Sequence, residues 1–205
     1  EQTKIGPKDA LNLSKTLAEF LSLLPIEIYI TWTNKMEFWK ALGVKSEADF
    51  KGTSDRKEIK DYPYRVMGSY LLGKFGKTLE KEDKIGQIIA DSRKGADHQL
   101  LKTLQLCKEN QVPFSEGFQE PIKKRITAIC FAEKGYLSGG LEITDLVSYV
   151  TFFAARRRMV EMKDVGLDMI WKQIKAIAKI KKIDEALIRK FFSLKADEVH
   201  KYLRR

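Results

Sequence analysis

The sequence predicts an α/β domain in which helices flank a mixed sheet, followed by an all-helical basic extension at the C-terminus. Segments with helical spacing of apolar residues alternate with short runs rich in β-branched and aromatic residues, as in a sheet with covering helices. Residues 156–205 hold 15 Lys and Arg against 7 Asp and Glu, whereas the first 155 residues hold 23 against 21. We therefore expect an α/β domain over residues 1–160 and a basic helical extension over residues 164–205.

The N-terminal elements follow from periodicity and from residues that break it. Apolar residues recur at helical spacing over residues 9–23, and a proline ends this helix. Residues 26–32 alternate and are rich in β-branched and aromatic side chains, which predicts a strand that ends at Asn34 and Lys35. A short helix over residues 36–42 is then followed by a polar loop.

The middle of the chain predicts two helices around a strand. An apolar stripe over residues 62–79 indicates a helix, in which Gly68 and Gly73 lower the intrinsic helix propensity and favour close packing. Residues 85–90 form a short apolar run typical of a strand. Asp97 is the predicted N-cap of the next helix, which ends near residue 110.

The last third predicts one more strand and then helices alone. Residues 126–131 are a β-branched and apolar run, and glycines separate them from a long helix over residues 141–158. From residue 164 onward the pattern is helical throughout, with breaks near Ile183 and Ser193.

Composition favours some classes of protein and argues against others. Hydrophobic residues make up 43% of the chain, enough for a core and against disorder. No apolar run reaches the length of a membrane span, and no signal peptide is recognisable. Cys107 and Cys130 lack the spacing of zinc ligands, and the absence of a cysteine framework fits a reducing compartment. We expect a cytoplasmic protein.

The basic extension predicts a polyanionic partner. Four lysines recur at intervals of 3, 4 and 3 residues on one face of a predicted amphipathic helix, namely Lys172, Lys175, Lys179 and Lys182. This face can bind a phosphate backbone, be solvated while the helix packs on the domain, or lie on an anionic membrane. Among these, nucleic acid is the expected ligand and a membrane is not, and DNA and RNA are equally compatible.

Two acidic residues lie where open α/β sheets collect functional side chains. Asp91 follows the strand over residues 85–90, and Asp145 lies in the first turns of the helix over residues 141–158. That helix is apolar on nearly every side, which predicts that it is buried. A buried carboxylate needs a cation, a metal ion or hydrogen-bond donors. Alternatively, Asp145 interacts only with the helix dipole and the local backbone.

Basic and polar residues accompany each acid. Arg156 shares a helix face with Asp145, and it can contact phosphate or complement the end of the helix dipole. Arg93 can pair with phosphate or with Asp91 and Asp97. Asp91 is a candidate ligand for a hard divalent cation, whereas Asp97 is expected to act as a helix cap and His98 as a surface residue.

The order of these segments resembles a family catalogued as domain of unknown function 3800, whose members look like ribonuclease-H-like proteins. The resemblance covers about residues 10–158, and four segments carry it: residues 24–35, residues 62–64 with the following helix, residues 88–93 with Asp97, and residues 141–149. It implies a metal-dependent nuclease that holds Mg²⁺ or Mn²⁺ with carboxylates. Asp91 and Asp145 match the later acidic positions, as catalytic and metal-binding residues. Lys35 matches a common family lysine and is either a structural partner of a carboxylate or catalytic.

The chain departs from the family at its start. The usual first strand ends in Asp-Glu-Ser-Gly, which this sequence does not contain, and Glu142 and Thr144 stand where the family tends to have Gln and Ala. The missing segment either lies outside this sequence, is supplied elsewhere or was lost. Without its Asp we expect weak metal binding and an incomplete or inactive site. The sequence thus leaves three functions open: a nuclease or its degenerate relative, a non-catalytic nucleic-acid-binding module that uses the tail, and a structural or partner-binding protein.

Overall fold

A computed structural model describes residues 7–43, 62–92, 97–109, 117–133, 139–157 and 165–193. These residues form helices and strands in alternation, which confirms the α/β class. In chain order the elements are α1 (Pro7–Leu23), β1 (Ile28–Trp32), α2 (Lys35–Ala41), α3 (Tyr62–Lys81), β2 (Gly86–Asp91), α4 (Asp97–Lys108), α5 (Gln119–Arg125), β3 (Ile126–Ala132), α6 (Gly139–Arg157), α7 (Val165–Ile177), β4 (Ala178–Lys182) and α8 (Glu185–Ser193). Within the described ranges, every helix is too short or too polar to cross a bilayer.

The chain divides into two compact units. The first comprises residues 1–30 and 137–180, and the second comprises residues 31–136 and 181–205. In the first unit, α1 and α6 both pack against α7. Its buried core consists of apolar side chains from these helices and from β1, namely Leu21, Ile28, Ile30, Val147, Val150, Ile170 and Ile174.

The second unit is organised around the long helix α3, which contacts α4 and α5. Two buried clusters lie along it. One joins α2, α3 and α8 through Phe38, Trp39, Val66, Ile183 and Ile188. The other joins α3, α4, α5 and β3 through Leu72, Leu79, Leu104, Cys107, Ile122 and Ile126. The helix α3 can approach α5 closely because it carries glycine at this contact: a Cβ atom on Gly76 would lie 3.1 Å from the backbone nitrogen of Ile122.

The strands of the described residues form two small sheets, β1 with β4 and β2 with β3. The pair β2–β3 is parallel, with Ile88 beside Ile129 and Asp91 beside Ala132. Ile88 and Ile129 pack against the second cluster of the second unit. The carboxyl ends of both strands therefore lie at one edge, where Asp91 is the last residue of β2.

The predicted all-helical extension is wrong at residues 178–182, which form the strand β4. Its position next to β1 is secured by backbone contacts: the N–H of Ile183 donates to the carbonyl of Trp32 at 2.8 Å. Local spacing missed this strand because Ala-Lys-Ile-Lys-Lys continues the helical recurrence of lysine, whereas strand pairing with a distant segment decides the conformation. Residues 119–125 also form a helix, α5, which the sequence did not predict.

Candidate functional site

The carboxyl edge of β2 and β3 collects several polar side chains. Asp91 is half-buried at this edge. The backbone N–H of the next residue, Ser92, donates to the carbonyl of Ala132 at 2.9 Å and extends the ladder by one bond. Ligands of open α/β sheets bind beyond the carboxyl ends of strands. The position predicted for Asp91 from the sequence is therefore confirmed, and this edge is the candidate site.

A side-chain hydrogen bond joins the end of β2 to the start of α4. The hydroxyl of Ser92 donates to Oδ2 of Asp97 at 2.8 Å. Asp97, predicted as the cap of this helix, is its first residue. A carboxylate in the first turn is also favoured by the helix dipole. Residues 93–96, which include the predicted phosphate contact Arg93, lie outside the described residues.

A buried polar pair lies beneath the start of α4. Arg65 on α3 donates to Oε1 of Gln99 from Nε at 3.0 Å and from Nη2 at 2.9 Å. The Cζ atom of Arg65 also lies 5.6 Å from the centroid of the Tyr62 ring. On the outer side, Nε2 of Gln99 lies 2.8 Å from Nε2 of the exposed His98. A hydrogen-bonded chain thus runs from the interior to the surface beside Asp97.

Neither Arg65 nor Gln99 was predicted from the sequence as a site residue. The signal for Arg65 was present, because it occupies the same helix face as Ser69 and Leu72, four and seven residues later, both of which are buried. A charged residue in such a row needs a polar partner within the protein. The partner Gln99 could not be named from the sequence, since it lies 34 positions away on another helix.

Asp145 lies on an exposed face of α6, so the prediction that this helix is buried on all sides is wrong. Val147 and Val150 face the core, whereas Tyr149 and Phe152 are 54% and 58% exposed. Arg156 follows on the same exposed face. The apolar content of α6 predicted burial on every side, but two of its largest hydrophobic side chains are exposed to solvent. Asp145 belongs to the first unit and Asp91 to the second.

The four tail lysines do not form one helical face. Lys172 and Lys175 are exposed on α7, whereas Lys179 and Lys182 belong to β4. The ammonium group of Lys179 lies 3.1 Å from the Glu27 carboxylate and 3.0 Å from the Tyr29 hydroxyl. The hydroxyl of Tyr29 and then the Glu27 carboxylate raise the pKa of Lys179.

Lys182, another lysine of β4, has an equivalent pair of contacts. The Nζ atom of Lys182 lies 2.7 Å from a carboxylate oxygen of Glu37 and 5.3 Å from the centroid of the Trp32 ring. Lys179 and Lys182, two of the three lysines of β4, are therefore each engaged by one acid and one aromatic ring. This arrangement lowers the charge that β4 presents to a polyanion.

Lys35 lies in a different position from the one predicted. It is the first residue of α2, three residues beyond the last residue of β1, and it is exposed. The side chain of Asn34 caps this helix by accepting hydrogen bonds from the backbone N–H groups of Met36 at 2.9 Å and Glu37 at 3.3 Å. The predicted end of the strand is thus a helix N-terminus.

Among the residues that the structure describes, no cluster of three or more His, Cys, Asp or Glu side chains is arranged to hold a metal ion. In comparisons with known proteins, the chain matches no family model, no curated protein and no solved structure. The resemblance to the domain of unknown function 3800 family therefore stays a prediction from the sequence.

Proposed function

We propose that the chain is a ribonuclease-H-like protein that cleaves the phosphodiester bonds of a nucleic acid with Mg²⁺ or Mn²⁺. The observation that carries the proposal is the position of Asp91. It places a half-buried carboxylate at the carboxyl edge of a parallel strand pair, next to the Ser92–Asp97 bond and the start of α4. This is the part of an open α/β sheet where ligands and catalytic residues gather.

Asp91 would be a ligand of the metal at this edge. Its carboxylate oxygens are the hard ligands that Mg²⁺ and Mn²⁺ prefer, and one or two carboxylates suffice where water and substrate phosphates complete the coordination shell. Asp91 is half-buried, so solvent ions can approach it. A bound ion would supply an activated water and offset the charge of the phosphate. Arg93 would bind a substrate phosphate, and the Ser92–Asp97 bond would hold the backbone beside Asp91.

Replacement of Asp91 by Asn tests this site directly. We expect the metal-dependent cleavage rate of single- and double-stranded DNA and RNA to fall by at least about a hundredfold, because a neutral amide is a poor ligand for a hard cation. Asp83→Asn is the matched control, since Asp83 is 90% exposed and makes a surface ion pair with Arg125 at 2.9 Å. Circular dichroism would check that both variants fold.

Three outcomes separate the parts of the proposal. Equal cleavage by the Asp91→Asn variant and the wild type would show that this edge is not part of the active site. A large loss in Asp91→Asn would support this edge as the active site, and full activity in Asp145→Asn would contradict the sequence-based prediction that Asp145 is a metal ligand. Cleavage that persists in EDTA would contradict the metal dependence.

A second candidate function is non-catalytic binding of single-stranded nucleic acid by the first unit. The exposed rings of Tyr149 and Phe152 favour it, because bases stack on exposed aromatic side chains, and Arg156 on the same face can contact phosphate. On α7, Lys172 and Lys175 add exposed positive charge. Such binding would persist in EDTA and weaken steeply with salt.

The test should not delete the tail, because Ile170 and Ile174 belong to the core of the first unit and Ile183 to a core of the second. Point variants are cleaner. In Lys172→Gln/Lys175→Gln we expect weaker binding and a salt dependence that is shallower by about 0.7 per lost phosphate contact. Lys179→Gln/Lys182→Gln carries the same charge change at lysines that are already paired, and should affect binding less. The reverse ranking would contradict this interpretation.

A further inference from the structure

The hydrogen-bonded chain through Arg65, Gln99 and His98 determines which atom carries the imidazole hydrogen. Arg65 and Gln99 are each 8% exposed, and His98 lies at the surface. A guanidinium group only donates hydrogen bonds, so the Gln99 atom that receives two of them must be the oxygen. The amide NH₂ of Gln99 then necessarily faces His98.

The amide of Gln99 cannot reverse its orientation while it stays in this place. Reversal would turn its NH₂ group toward two guanidinium N–H groups, so that donors would face donors in a protein interior, which is costly. The backbone carbonyls of Arg65 and Gln99 are also engaged by the neighbouring hydroxyls of Ser69 and Thr103, at 2.8 and 2.7 Å. These bonds belong to two packed helices, α3 and α4, which hold both side chains in position.

The orientation of the amide determines which nitrogen donates and which accepts in the 2.8 Å contact between Gln99 and His98. Because Nε2 of Gln99 donates, Nε2 of His98 must accept and therefore carries no hydrogen. A neutral imidazole has one N–H group, so that group lies at Nδ1. His98 follows Asp97 directly, and Asp97 binds Ser92 next to Asp91. The imidazole thus follows, by one residue in α4, the Asp97 that is bonded to the carboxyl edge of β2.

We propose that Arg65 and Gln99 hold His98 as the Nδ1–H tautomer, so that its N–H group donates a hydrogen bond to a phosphate oxygen of a ligand at this edge. Both ring nitrogens are then committed, one to Gln99 and one to its own hydrogen. His98 consequently serves as a hydrogen-bond donor through Nδ1, and its Nε2 is occupied by the Gln99 amide. The tautomer follows from the three hydrogen bonds alone, whereas the phosphate ligand rests on the proposed function.

Nitrogen NMR of the imidazole ring tests the tautomer without any ligand. The chain has two histidines, so a His200→Ala background leaves the ring signals of His98 alone. At about pH 8, where histidine is ordinarily neutral, we expect the ¹⁵N shifts of the Nδ1–H form. Shifts of the Nε2–H form, or shifts averaged between the two forms, in the otherwise wild-type protein would overturn the proposal.

Two variants of α4 identify Gln99 as the positioning residue. Gln99→Met keeps the volume of the side chain and removes the donor, so the His98 signals should move toward the Nε2–H form. Gln105→Met is the matched control, because Gln105 is exposed on the same helix and binds Glu109. An unchanged tautomer in folded Gln99→Met would remove Gln99 from this role, and the wild-type spectrum decides the tautomer even if that variant does not fold.

Oligonucleotide binding in EDTA tests the donor role separately. Single-stranded DNA and RNA oligonucleotides should bind about tenfold more weakly to His98→Ala, the loss expected for one hydrogen bond to a charged acceptor. His98→Asn should recover part of this loss, because the Asn amide places an N–H near the position of Nδ1. Equal binding by His98→Ala and the wild type would remove the donor role. If the wild type binds neither oligonucleotide, the proposed function and the donor role fail together, while the tautomer assignment stands on the NMR result.

Discussion

The substitution Gly73→Ala in α3 should destabilise the protein, although alanine favours helices. A Cβ atom on Gly73 would lie 2.3 Å from Cδ2 and 2.4 Å from Cγ of Phe118. Ordinary van der Waals contact begins at 3.4 Å, so the ring has to retreat by about 1 Å at its attached end. The clash is at the base of the ring, where rotation of the side chain gives little relief.

The neighbours of Phe118 set the magnitude of the effect. Its ring makes an edge-to-face contact with Tyr70 at a centroid distance of 6.3 Å, and Nζ of Lys77 lies 4.7 Å from its centroid. Overpacking costs about 1–3 kcal/mol, and displacement from the aromatic partner costs about 1 kcal/mol more. The helix propensity of alanine returns about 1 kcal/mol. We therefore expect the free energy of unfolding to fall by about 1–3 kcal/mol.

Gly68→Ala is the matched control in the same helix. A Cβ atom there would lie 3.6 Å from Cγ2 of Thr103, an ordinary contact. Helix propensity should then act alone and raise the free energy of unfolding by about 0.5–1 kcal/mol. Urea denaturation followed by circular dichroism measures both changes, and both glycines lie in the second unit.

The opposite signs of the two effects make the reasoning testable. If Gly73→Ala stabilises the protein as Gly68→Ala does, the close approach of Phe118 to α3 does not exist. A double-mutant cycle adds a second check, because the cost of Gly73→Ala should disappear in a Phe118→Ala background. An equal cost in both backgrounds would show that the strain lies elsewhere in α3.

Two further predictions each compare a buried side chain with an exposed one. Phe38→Ala should lower the free energy of unfolding by about 3–5 kcal/mol, because Phe38 is 0% exposed, whereas Met36→Ala on the same helix, at 68% exposure, should change it by less than about 0.5 kcal/mol in urea denaturation. Burial raises the pKa of Cys107 from 9.0 to about 11, so only the exposed Cys130 should react quickly with Ellman's reagent in the folded protein; two fast thiols would contradict this. Since the folded pKa of Cys107 is above the unfolded value, its contribution to stability is full below pH 9 and is lost as pH rises through about 11, which comparison with Cys107→Ala over that range measures.

Local periodicity was a good guide to most elements. The predicted strands over residues 26–32, 85–90 and 126–131 agree within two residues with β1, β2 and β3. It failed at residues 178–182, where helical spacing of lysine predicted a helix and β4 formed instead. The strand depends on β1, about 150 positions earlier, and on acidic and aromatic partners there that no local window contains.

The candidate site was predictable only in part, for the same reason. Asp91 could be placed because an acid directly after an apolar strand reaches the carboxyl edge in any α/β arrangement. The burial of α6 was predicted wrongly, because residue type alone does not reveal that Tyr149 and Phe152 face solvent. Arg65 and Gln99 were missed, since their pairing joins two helices that are adjacent only after folding.

The sequence by itself determined the alternation of helices and strands, the division of charge, and the acid that follows β2. These properties depend on side chains that are neighbours along the chain, whose periodicity sets the local conformation and the buried face. Only the tertiary structure decided which strands pair and which lysines are contacted by acids and aromatic rings. It also decided that a buried arginine donates to a glutamine beside Asp97. Those outcomes depend on packing between segments that are 30 to 150 residues apart, where many partners compete and the best-packed combination prevails.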